Sequence, residues 1–174
     1  MAIRMTAVLA ASCLFLAGLP AKAAEKPTDP QIAHIAYTAG VIDIEAAKQA
    51  LRKSKNKEIK AFAKDMERDH EAVNKQALAL VKKLKVTPED NPTSKALTKA
   101  AKAERAKLSK LHGAAFDKAY IANEIAYHKQ VNGALKDVLI PSAHNPQLKD
   151  LLETGLKIFQ GHEEHAEHVQ SELE

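Results

Sequence analysis

The chain has 174 residues, a net charge of +4, one cysteine, no tryptophan and few other aromatic residues. One cysteine forms neither an intramolecular disulfide nor a thiolate metal site. Basic residues only slightly outnumber interleaved acids, and few rings are present to stack on bases, so nothing supports nucleic-acid binding.

The first element is an export leader over residues 1–23. Arg4 supplies its positive start, the apolar run "AVLAASCLFLAGL" (7–19) follows, and Pro20 ends the run. "AKA" (21–23) then sets small residues before a cleavage point after Ala23. The run is shorter than the roughly 20 residues that a bilayer span needs, so no stable membrane insertion is expected once the leader is removed. Cys13, Arg4 and Lys22 leave with it, and the remaining chain carries two fewer positive charges and no thiol. A periplasmic or secreted location follows. Residues 24–174 are one domain, large enough for a single core.

That domain reads as helical throughout. Asp29 as N-cap and Pro30 at the first helical position open a helix over 30–53. A second helix over 56–86 is stopped by "VTPEDNPTS" (86–94), with its two prolines. Residues 95–111 have helical propensity but only Leu97, Leu108 and Leu111 as large apolar groups, and "HGAAF" (112–116) interrupts the pattern. Two more helices follow over 114–139 and 147–172, separated by "IPSAHNP" (140–146). Short connections join the first to the second long helix and the third to the fourth, which forces antiparallel hairpins. Between the hairpins lies a stretch long enough, with its own helix, to run the length of a bundle. This is the ferritin-like four-helix arrangement with an extra helix in the crossover; an up-down-up-down bundle with a decorated loop is the competing architecture.

Projected at about 100° per residue, each long helix shows an apolar stripe with an ionisable residue inside it. Asp43 lies within the stripe of Ile32, Ile35, Ala39, Ile42 and Ala46, whereas Glu45 points away. His70 sits in the stripe of Ile59, Phe62, Met66 and Val73, flanked by Glu67 and Asp69. Glu67 and His70 also have the Glu-x-x-His spacing used for metal ligation in helical bundles. Glu124 falls in the stripe of Phe116, Tyr120, Tyr127, Val131, Leu135 and Val138, with His128 on the same side. In the last helix His162 is inside, Glu163 is on one edge, His165 is on the other and His168 points to solvent. Counted from the hairpin turns at about 1.5 Å per residue, the inward groups stand at comparable heights. Imidazoles and carboxylates that converge in a bundle core suit iron, zinc, copper or manganese. The same groups also suit a structural hydrogen-bond network that fixes helix register. The candidate metal ligands are Asp43, Glu67, His70, Glu124, His128, His162 and Glu163.

The segments "AGVIDIEAAKQAL" (39–51), "IKAFAKDMERDHEAVNKQALAL" (59–80) and "LHGAAFDKAYIANEIAYHKQV" (111–131), together with the histidine-bearing last helix, carry a family resemblance. The chain resembles the exported bacterial ferritin-like domain-of-unknown-function family 4142 over nearly the whole of residues 24–174. The resemblance implies a ferritin-like fold and an extracytoplasmic location. His70, His128 and His162 match the family's recurring histidines, and Asp43 stands where the family usually has Glu. Helix four has His162-Glu163-Glu164-His165 where di-iron oxidases have a second Glu-x-x-His, a departure from their pattern.

Two functions remain in competition. One is a periplasmic bundle that binds a divalent metal in an envelope stress role. The other is a non-enzymatic envelope scaffold, acting on a protein partner or as a homo-oligomer, whose polar core is only structural. Among enzymes, metal-dependent oxidation is the one class left open, because no nucleophile–base pair or phosphate-cradling loop is present.

Overall fold

A computed structural model describes residues 26–173 as an all-helical bundle, and the expected export leader lies outside the described residues. Five helices account for it: α1 (Asp29–Lys53), α2 (Lys57–Leu84), α3 (Pro92–Ser109), α4 (Gly113–Ala134) and α5 (Pro146–Glu172). Their ends follow local side-chain chemistry. Asn56 caps α2 by accepting from the Glu58 and Ile59 amides, and Asn145 caps α5 by accepting from Gln147 and Leu148. Asn91 accepts from Ser94 at the start of α3. Before α4 the chain turns sharply through Gly113, whose φ of +55° a residue with a Cβ rarely adopts.

The start of α1 differs from the sequence reading. Thr28, not Asp29, is the N-cap, and its amide donates to the Gln31 side chain at 3.2 Å. The Asp29 carboxylate instead accepts from the His144 and Asn145 amides at 2.8 and 2.9 Å. It thereby ties the first helix to the turn before the last one.

Three-residue connections fold α1 on α2 and the end of α4 on α5, as the short links require. α3 runs parallel to α1: Asn91 Nδ2 donates to the Gln31 carbonyl near one end, and Gln49 and Lys53 donate to the Arg105 and Ser109 carbonyls near the other. The crossover therefore returns the chain to the end from which it left α1, and α4 descends beside it. This second cover explains why α1 buries more than one stripe, with Ala33, Ala47 and Gln49 inside as well as Ile32, Ile42 and Ala46.

The third long helix runs past its expected end. A π turn at Leu135–Leu139 continues α4 into a last short turn, Ile140–Ser142, and the Ile140 amide donates to the Leu135 carbonyl. Pro141 has no amide to give an α-helical bond and crowds the preceding turn, which the wider π turn relieves. The shift also rotates the face. Val138, expected in the stripe, is 46% exposed, while Leu139 takes the inward place.

The core has two apolar ends. One gathers Ile59, Phe62, Met66, Phe116, Tyr120 and Val169, and the other Ile32, Ile35, Leu135, Leu139, Leu152 and Phe159. Between them in every long helix lies a polar layer.

Candidate metal centre

Each long helix contributes to that layer by placing a polar residue between two buried apolar turns. Asp43 comes from α1, His70 from α2, Glu124 and His128 from α4, and His162 from α5. All five are buried, with Asp43, Glu124 and His128 only 1% exposed. Burying such groups is costly unless they are paired or bound, so their partners decide what the layer is for.

The three imidazoles form a triangle with ring centroids 5.3, 5.5 and 5.8 Å apart. Two of them have an outer partner on one nitrogen. His162 Nε2 bonds to Asp69 Oδ2 at 3.0 Å, and His128 Nδ1 bonds to the Glu124 carbonyl at 2.9 Å. Because a carboxylate or carbonyl oxygen only accepts, these bonds place the protons on His162 Nε2 and His128 Nδ1. The bare lone pairs are then on His162 Nδ1 and His128 Nε2, both buried and without hydrogen-bond partners. His70 Nε2 lies 3.0 Å from Asp43 Oδ2, off the line of a hydrogen bond, and its Nδ1 also lacks a partner. His128 Nε2 approaches the same oxygen at 3.4 Å.

Electrostatics keep these nitrogens available. Burial pushes His162 down to about 4, against the opposing pull of Asp69. It also lowers His128, against the pull of Asp43. The His162 ring is therefore neutral at neutral pH, the form that binds metal. Burial raises the Asp43 carboxyl, but the His70 and His128 imidazoles together outweigh it and hold Asp43 below the usual carboxylate range. Burial, reinforced by the charge of Asp43, drives Glu124 well above that range, so it stays a neutral acid beside an ionised one.

The donors converge closely enough for an ion. One ligating atom each from His70, His128 and His162 lie within 4.8 Å of one another, and the same holds for Asp43, Glu124 and His128. The chemistry suits a metal. Imidazole nitrogens bind zinc, copper and iron, and outer hydrogen bonds that fix the tautomer are the usual support of metal-bound histidine.

Five of the seven candidates thus meet in the layer. Glu67 does not: it faces α1, 3.5 Å from Lys48 Nζ. Glu163 stands beside the layer, where its Oε2 accepts from Asn132 Nδ2 at 2.8 Å. His165 lies on the rim with its ring against Phe62, and His168 is out in solvent beside Glu172. Sequence reasoning set Asp69 at the edge of its helix face and gave it no part in the site. The signal for it was its position one residue before an inward histidine, on the side that α5 covers. Asn132, which bridges Glu163 and the Phe159 carbonyl, left no such signal.

Among the described residues no helix is long and apolar enough to cross a membrane. A comparison with curated proteins finds no match. Among solved structures the bundle is similar to "CopM in the Cu(II)-bound form", with a TM-score of 0.65 and 14% identity over 86% of this chain and 100% of that one. At that identity the likeness concerns the fold. Residues 16–169 match the family described as "Domain of unknown function (DUF4142)", and the chain belongs to that family.

Proposed function

We propose that the protein is a metal-binding helical bundle whose polar layer holds one divalent transition metal, copper or zinc foremost, on His70, His128 and His162. The observation that supports this most directly is the set of buried orphan atoms. His70 Nδ1, His128 Nε2, His162 Nδ1, both Asp43 oxygens and Glu124 Oε2 have no hydrogen-bond partner. A network that existed only to fix helix register would satisfy its members, because each unsatisfied buried group costs about 1–3 kcal/mol. A cation supplies the missing partner for several of them at once.

In this reading Asp69 and the Glu124 carbonyl hold two imidazoles in the ligating tautomer, and Asp43 balances the charge beside the third. Phe159 and the two apolar ends of the core keep water away. Bound there, a divalent ion is sequestered. Three rigid nitrogen donors suit storage or protection better than turnover, and the Cu(II)-bound title of the structural neighbour is consistent with copper as the cargo. Glu67 and Glu163 fall outside the ligand set. If residues 1–23 act as an export leader, the site of action is the cell envelope, in a response to metal stress.

Elemental analysis of the natively purified protein, paired with thermal shift against Cu(II), Zn(II), Fe(II) and Mn(II), tests the reading. A tightly bound ion raises the melting temperature, because at a hundred times Kd the linkage is worth about 2.7 kcal/mol. No metal on analysis and no shift with any of the four ions would overturn it.

A further inference from the structure

The polar layer contains two overlapping triads of donors, His70–His128–His162 and Asp43–Glu124–His128, and only His128 belongs to both. Its Nδ1 is engaged with the Glu124 carbonyl, so Nε2 carries its one free lone pair. A lone pair on an imidazole nitrogen coordinates one ion at a time. The triads also differ in chemistry. Three imidazoles favour copper and zinc, whereas two carboxyl groups with one imidazole favour harder ions such as manganese, which displace the Glu124 proton on binding. Their surroundings differ too: Asp43 and Glu124 line a groove of about 640 Å³ between α1, α3 and α4, and none of the three imidazoles does.

We infer that the layer is a two-position site for a single cation, with His128 as the shared ligand. Cu(II) sits among the three imidazoles, and Mn(II) sits among Asp43, Glu124 and His128 on the side of the groove. The inference rests on the metal-binding reading and adds a limit of one ion and a selectivity rule. Asp43 changes role between the positions. It ligates the harder ion directly, and it faces His70 Nε2 when the softer ion is bound. Both of its oxygens and Glu124 Oε2 are buried without hydrogen-bond partners, so they are free for either task.

The test is competitive titration of the purified protein with Cu(II) and Mn(II) chlorides, followed by electron paramagnetic resonance. The wild type should bind one equivalent of either ion, with Cu(II) displacing Mn(II). Glu124→Gln should weaken Mn(II) by at least about tenfold and change Cu(II) by less than about threefold, and His162→Gln should do the reverse. His128→Gln should lose both. Nitrogen couplings on Cu(II) should fall from three to two in His162→Gln, with circular dichroism confirming that each variant is folded. Simultaneous binding of the two ions in the wild type, a result that needs no variant, overturns the inference. Equal losses for both ions in Glu124→Gln and His162→Gln do the same. Cu(II) binding without Mn(II) binding overturns the inference alone, whereas binding of neither, with Zn(II) and Fe(II) also failing to bind, overturns the metal-binding reading with it.

Discussion

Phe159 lies flat against His70, with ring centroids 4.5 Å apart and planes 17° from parallel. The contact joins α5 to α2 and closes one side of the polar layer with an apolar wall. Phe159→Ala removes that wall and a large buried side chain, at an expected cost of about 3–5 kcal/mol. Phe159→Leu retains much of the volume and should lose distinctly less. Urea unfolding of both variants measures the difference, and equal losses would mean that the stacked ring has no special part.

Asp69 should matter for the metal far more than for the fold. Its side chain is 28% exposed and also pairs with Arg68, so Asp69→Asn should change stability by no more than about 1 kcal/mol. The loss of a charged acceptor on His162 Nε2 should nevertheless weaken metal binding by about 10- to 100-fold. Calorimetric titration beside a melting curve separates the two effects, and unchanged affinity would remove Asp69 from the site.

The metal-free protein should lose stability on acidification through His162. Burial holds that ring at about 4 when folded, against 6.5 when free. The unfolded chain therefore takes up the proton first as pH falls. The stabilising contribution is complete above pH 6.5, declines below it and is gone once pH passes about 4. With metal removed by chelator, His162→Asn should flatten this part of the stability–pH profile relative to the wild type. Parallel wild-type and variant profiles from pH 7 to 4 would refute the assignment.

Gly40→Ala is expected to act against helix propensity. In the middle of a helix the change normally gains up to about 1 kcal/mol. Here the added Cβ would collide with Asn74 Oδ1 and lie 2.9 Å from its Cγ, so the whole buried amide must move. Net destabilisation of about 1–3 kcal/mol should result. In an Asn74→Ala background the same substitution should become neutral or stabilising. Chemical denaturation of the four members of this cycle checks the reversal of sign.

Much of this was legible in the sequence because helices expose their periodicity. Asp43, His70, Glu124, His128 and His162 each interrupt an apolar stripe, and all five are buried. Glu67 shows the limit of spacing. It lies on the same side of α2 as His70, but Lys48 on the neighbouring helix draws it away from the layer. The second buried face of α1 was hidden because it depends on α3 running parallel to it, which no local pattern encodes. Val138 was misplaced because periodicity assumes an unbroken α-helix, and the π turn changes the phase after Leu135. Asp69 was obscured because its role belongs to a contact 93 residues away.

The division of the polar layer between the two hairpins has a kinetic consequence. Asp43 and His70 lie in the α1–α2 hairpin, while Glu124, His128 and His162 lie in the α4–α5 hairpin. Each hairpin can form from contacts near in sequence, which are quick to make. Neither holds a whole triad of imidazoles until the two dock. Docking is then the step that dehydrates five ionisable groups, and an ion present at that moment neutralises part of its cost. On the proposed metal-binding reading the cation would be a clasp between half-molecules, and its largest effect should be on how slowly they come apart.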